Sequence, residues 1–114
     1  MRVGVVTGES NIAIGLDTMD VLTSGACNIA LGVNAAGAMT VGNCNIAIGP
    51  GAASGVTTGS FADNIAIGVN ALTGLAGSNG NDNIAIGRTT MGGADVSGAS
   101  NVAIGNSVGY YVTS

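Results

Sequence analysis

One five-residue word, Asn-Ile-Ala-Ile-Gly, constrains this chain more than any other feature. It stands at Asn11–Gly15, Asn45–Gly49, Asn64–Gly68 and Asn83–Gly87, with variants at Asn28–Gly32 (Leu31) and Asn101–Gly105 (Val102). The asparagines Asn11, Asn28, Asn45, Asn64, Asn83 and Asn101 are 17, 17, 19, 19 and 18 residues apart. Helical repeats take about 33 to 47 residues per unit. Asn, Gly and Thr in every unit oppose helix as well. The spacing suits one turn of a β-solenoid. Residues 1–114 are therefore read as a single all-β repeat domain, a single-stack parallel β-roll of about six coils of 17–19 residues.

Each coil carries a second signal. An apolar residue precedes a recurring Thr position: Leu22-Thr23, Met39-Thr40, Val56-Thr57, Leu75-Ala76, Val96-Ser97 and Val112-Thr113. This pair is expected to form a second strand. The turn from there to the next Asn varies in length, as coil-closing loops can while the strands stay in register.

Within Ile-Ala-Ile, side chains alternate between the two faces. Stacking at about 4.8 Å sets like residues over like. The aliphatics are expected to form the core: Ile12, Ile29, Ile46, Ile65, Ile84 and Val102 in one ladder, and Ile14, Leu31, Ile48, Ile67, Ile86 and Ile104 in the next. Ala13, Ala30, Ala47, Ala66, Ala85 and Ala103 then lie on the surface as an oligomer face. The asparagines form an amide ladder at a corner, satisfying one another along the stack. A core this thin, with 21 glycines raising the entropy cost of order, predicts an obligate oligomer.

Composition narrows function. There is no His, and Arg2 and Arg88 are the only Lys or Arg residues in a chain of net charge −4. That leaves no basic patch for nucleic acid or an anionic membrane, and no histidine for acid–base or metal chemistry. One Pro and no Gly-X-Y period exclude collagen. Glycine-rich stretches lack the Gly-Lys-Ser/Thr ending of a phosphate loop. No catalytic constellation emerges, so the expectation is a non-enzymatic protein without cofactor or metal. Met1-Arg2-Val3-Gly4 leads straight into repeat-like sequence, so neither a signal peptide nor membrane insertion is expected.

The motif with Ala after the Gly and two intervening residues (Asn28–Ala35, Asn45–Ala52, Asn64–Ala71) resembles the head repeat of trimeric autotransporter adhesins, and related repeats of bacteriophage tail fibres. The resemblance spans Gly8 to Ser114. It implies a left-handed roll assembled as a homotrimeric rod, displayed outside the cell or on a virion and contacting a cell-surface glycan or protein. Thr18, Thr90 and Val108 depart from the Ala of the pattern. The alternative is a structural filament or capsid decoration protein whose solenoid ends stack head-to-tail.

Several residues are candidate sites. Cys27 and Cys44 precede successive motif asparagines, one coil apart, within disulfide reach; two free thiols in a ladder is the competing reading. Phe61, Asp63, Asn79, Asp82, Asp95, Tyr110 and Tyr111 sit on turns or in the last copy and are candidate receptor contacts, since loops carry function on rigid scaffolds. Packing roles for the aromatics compete with that reading. A stacked Asp63–Asp82 calcium site and an ice-binding threonine array are weaker candidates. The first lacks the glycine-aspartate nonapeptide, and the second has one Thr rank where two are wanted.

Overall fold

Among the described residues the strands are three residues long and bounded by Asn and Gly, with one isolated parallel bridge, Asn43 to Ala62, outside them. The computed structural model describes residues 8–55, 61–74, 80–93 and 98–109. The strands are β1 (Ile12–Ile14), β2 (Ile29–Leu31), β3 (Ile46–Ile48), β4 (Ile65–Ile67), β5 (Ile84–Ile86) and β6 (Val102–Ile104). They form one sheet in sequence order, every neighbour parallel. The register sets Ile on Ile and Ala on Ala from β1 to β6. The chain is thus an all-β solenoid, with no helix among the described residues.

The stack is hydrogen-bonded at both ends of each strand. The first strand residue donates its N–H to the next motif Asn carbonyl, as in Ile29 to Asn45 at 2.8 Å and Ile46 to Asn64 at 2.8 Å. Each motif Gly donates back to the preceding coil, as in Gly49 to Leu31 at 2.8 Å. Gly49 has φ +123°, and a Cβ there would sit 2.8 Å from the Gly68 carbonyl carbon and oxygen. A side chain has no room, because the obstacle is the next coil's backbone.

The facing of the strands is the reverse of the sequence expectation. The alanines point inward: Ala30, Ala47, Ala66 and Ala85 are at most 1% exposed. The aliphatics point outward. Ile29, Leu31, Ile46, Ile48, Ile65, Ile67, Ile84 and Ile86 are half-buried, shielded mainly by one another along the stack. At the sheet ends Ile12, Ile14, Val102 and Ile104 are 51–66% exposed. So the two aliphatic ladders are not the core, and the alanine column is not the oligomer face. Side-chain period is the reason. Asn and the Ala two residues later share a face, and the asparagines are turned inward to reach the coil-closing carbonyls, so Ala follows them in. Ala13 alone of its column is exposed, because no described strand stacks above β1.

The interior is completed from the opposite wall. Met19, Leu22, Met39, Leu72 and Met91 pack with the alanines, and so does Phe61, which is 1% exposed. Small alanines on one wall leave room for these larger residues on the other, giving the close packing of a protein interior.

That opposite wall is not a second strand where it is described. Leu22 and Met39 have irregular backbone and Thr23 and Thr40 lie in bends, although Thr23 N–H donates to the Thr40 carbonyl at 2.9 Å. Positive φ recurs at alternate residues, at Asp17 and Met19, Asn34 and Ala36, Gly51 and Ala53, Asn70 and Leu72, and Thr89 and Met91. Successive N–H groups then point up and down the stack. Asn34 donates to the Leu16 carbonyl in the previous coil, and Ala36 to the Ala52 carbonyl in the next, both at 2.8 Å. Inter-coil bonds therefore survive without extended backbone. The Val56-Thr57, Leu75-Ala76, Val96-Ser97 and Val112-Thr113 pairs lie outside the described residues.

Candidate functional site

Three features run the length of the stack: an internal amide ladder, an outward aliphatic stripe and a corner column before each motif Asn. The ladder is the best determined. Asn45 donates from its backbone N–H and from Nδ2 to Asn28 Oδ1, at 2.9 and 3.0 Å. Its own Oδ1 receives the Asn64 N–H and Nδ2, both at 3.1 Å. The other Nδ2 hydrogen of each amide closes its coil: Asn28 to Gly42 at 2.6 Å, Asn45 to Phe61 at 2.9 Å and Asn64 to Gly80 at 2.9 Å. Asn11 begins the ladder, half-buried, and Asn101 ends it, donating to Asn83 Oδ1 at 3.0 Å. Nδ2 of Asn83 is the sole buried side-chain polar atom without a partner among the described residues. The ladder is structural: from Asn11 to Asn64 its amide donors and acceptors are consumed internally.

Thr18 and Thr90 occupy the column of Ala35, Ala52 and Ala71, and both are buried. Each hydroxyl donates to the motif Gly of the next coil, Thr18 to the Gly32 carbonyl at 2.7 Å and Thr90 to the Gly105 carbonyl. These departures from the repeat pattern therefore keep its geometry and add an inter-coil bond.

The outward stripe consists of the twelve Ile, Leu and Val side chains of β1–β6. Leu16, Val33 and Val69 extend it beside the strands, and all three are exposed. Arg88 is the charged residue of this third column. Scattered surface hydrophobes are ordinary, but a contiguous apolar patch marks an interaction surface.

The corner column is Ser10, Cys27, Cys44, Asp63, Asp82 and Ser100. All six are exposed and all have φ between 55° and 63°. Cys27 and Cys44 are free thiols. Desolvation chiefly raises the Cys44 pKa above its ordinary 9.0, with the Asp63 charge and the neighbouring Cys27 thiol adding to it. Asp63 and Asp82 occupy successive coils, yet no group of three or more metal-ligating side chains occurs among the described residues. No helix there is long and apolar enough to cross a membrane.

Of the candidate receptor contacts, Asp63 and Asp82 are exposed on this corner. Phe61 is not available, being buried under the closing turn, where its carbonyl accepts from Asn43 N–H and Asn45 Nδ2. Asn79, Asp95, Tyr110 and Tyr111 lie outside the described residues. Sequence reasoning missed the left-handed positions. A signal was present: six residues after each motif Asn the chain reads Asp17, Asn34, Gly51, Asn70, Thr89 and Ser107, and Asp, Asn and Gly are the residues that tolerate that conformation.

Comparison with family models, with curated proteins and with solved structures gives no match to the chain.

Proposed function

We propose that this chain is a non-enzymatic rod module that assembles with itself through the outward aliphatic stripe. The observation that carries the reading is the inversion of the strands. The polar and small side chains are satisfied inside one chain, and the large aliphatics are left outside in register. A fully exposed side chain of this size gains about 1.5–3 kcal/mol on full burial and the half-buried members of β2–β5 a part of that, so a continuous two-column stripe is a strong drive to association. A homotrimer is the assembly implied by the resemblance to adhesin-head and tail-fibre repeats, with three stripes facing a common axis. A rod of that kind, displayed on a virion or cell exterior, holds its corner residues, Asp63 and Asp82 among them, outward for a surface glycan or protein. Light scattering on the eluting protein tests the assembly: three chains per particle supports it, and a single chain at micromolar concentration overturns it.

The second reading, a filament stacked end to end, is favoured by one observation. Ala13 is exposed where Ala30 beneath it is 0% exposed, and among the described residues no strand covers β1 on that side. β6 carries the same Val/Ile-Ala-Ile pattern and register at the other edge of the sheet. Open strand edges are templates for pairing. Electron microscopy separates the two: filaments lengthening with concentration support stacking, and discrete short particles support the simple trimer.

A further inference from the structure

We propose that Cys27 and Cys44 form a reversible disulfide that staples two successive coils at the exposed corner. The inference is independent of the assembly state. The two residues occupy the same position before successive motif asparagines and share the left-handed conformation, with φ 60° and 55°. Their backbones are locked in register. Cys44 N–H donates to the Ala26 carbonyl, the peptide unit that leads into Cys27, at 2.9 Å. On the other side Asn45 N–H donates to Asn28 Oδ1 at 2.9 Å. Both thiols are exposed, so an oxidant reaches them and their rotamers are free to turn.

Coil spacing sets the character of the bond. Stacked residues have Cα atoms about 4.8 Å apart, inside the usual range of about 4.4–6.8 Å for a disulfide. Translation along the stack leaves the Cβ atoms about as far apart, slightly beyond the ~3.5–4.5 Å of a relaxed bond. Closure therefore draws the corner together, and a strained, exposed disulfide is more easily reduced than a buried structural one. The fold itself does not depend on the bond, because the Asn ladder already holds these coils. The pair acts as a redox-responsive staple.

The co-reactant is a small disulfide such as oxidised glutathione. One cysteine thiolate attacks it, forming a mixed disulfide and releasing one glutathione thiolate. The second cysteine loses its proton and attacks the protein sulfur of that mixed disulfide, releasing the second glutathione. Two protein thiols are oxidised, one glutathione disulfide is reduced to two thiols, and the two cysteine protons end on these or in solvent.

The test is incubation of the native chain in glutathione buffers of graded redox ratio, acid quench, alkylation of remaining thiols, and intact mass. With two cysteines in the chain, the expected oxidised product is a single chain lighter by two hydrogens, carrying neither alkyl nor glutathione. It should revert fully in excess reduced glutathione, and its thermal unfolding midpoint should lie above that of the reduced form. Cys27→Ser and Cys44→Ser should stop at a mono-glutathione adduct; Ser10 and Ser100 already occupy this column, so serine fits there. Two glutathione adducts per chain, disulfide-linked dimers, or two alkylated thiols in the most oxidising buffer would overturn the proposal.

Discussion

Removing one rung from the middle of the amide ladder should cost far more than removing its first rung. Asn45 is 2% exposed, while Asn11 is half-buried. In Asn45→Ala the Asn64 N–H loses its acceptor at 3.1 Å and is left buried without another. An orphaned buried donor costs about 1–3 kcal/mol. The Nδ2 bonds from Asn45 to Asn28 and Phe61, and from Asn64 to Asn45, go as well. Their acceptors or donors keep second partners: Phe61 still receives Asn43 N–H, and Asn64 Nδ2 still reaches Ala62 and Gly80. These losses therefore count at the net value of about 0.5–1.5 kcal/mol each. The expected total is about 2.5–7.5 kcal/mol. With a urea slope of about 1–3 kcal/mol/M, the unfolding midpoint should fall by about 1 M or more. Asn11→Ala makes the same chemical change where water can replace the amide, and should cost about 1 kcal/mol. Urea unfolding by circular dichroism, at one protein concentration, compares the two. Equal shifts, or an Asn45→Ala cost below ~1 kcal/mol, would refute the ladder as the element that locks the coils.

Further outcomes follow from the same geometry. Gly49→Ala should destabilise by several kcal/mol, because its Cβ meets the Gly68 backbone at 2.8 Å and such overpacking costs about 1–3 kcal/mol before the φ strain is added; thermal unfolding checks it. Thr89→Asn should stabilise by up to about 1 kcal/mol, since Thr89 holds φ 55° where a β-branched residue is strained and Asn is tolerated; a lower melting midpoint would contradict it. The raised Cys44 pKa means that the folded chain holds this proton more tightly than the unfolded chain. Below pH 9.0, the ordinary value, both states hold the proton; as pH rises from there through the folded pKa the unfolded chain ionises first and stability is lost. In reduced protein, wild type should therefore lose stability relative to Cys44→Ser as pH rises past 9.0, read as paired unfolding midpoints.

The repeat word made the architecture legible. Parallel order, register and the strand positions are direct consequences of six equally phased pentads, and the structure places β1–β6 on them. Hydrophobicity alone misplaces the faces, because it favours burying two isoleucines over one alanine, whereas the alanines are inside. The decisive constraint was polar. An Asn that must meet the Phe61 or Gly42 carbonyl inside the coil carries the alanine two residues later with it. The expected second strand failed for a related reason. Leu22-Thr23 and Met39-Thr40 have strand-like composition, but the segments that lead into them, Asp17–Met19 and Asn34–Ala36, carry alternate positive φ, and Met19, Leu72 and Met91 carry no sequence mark of the left-handed conformation they hold. Phe61 looked like a loop aromatic because Gly59, Ser60 and Asp63 surround it; packing against the interior decided otherwise.

The proposed assembly rests on the outward-facing Ile, Leu and Val side chains, set over an interior of alanines and larger apolar residues from the same chain. Ile67→Lys tests it most directly, read by sedimentation equilibrium on protein whose circular dichroism is recorded alongside. Ile67 is half-buried on the stripe, and a lysine stem can lie along it while its charge stays in water. The account predicts a β spectrum like the wild type and a particle reduced to the 10.8 kDa single chain, against a larger assembly for the wild type. A chain that unfolds on this substitution, as burial of Ile67 in the core would require, or a wild type that is already a single chain, would contradict it.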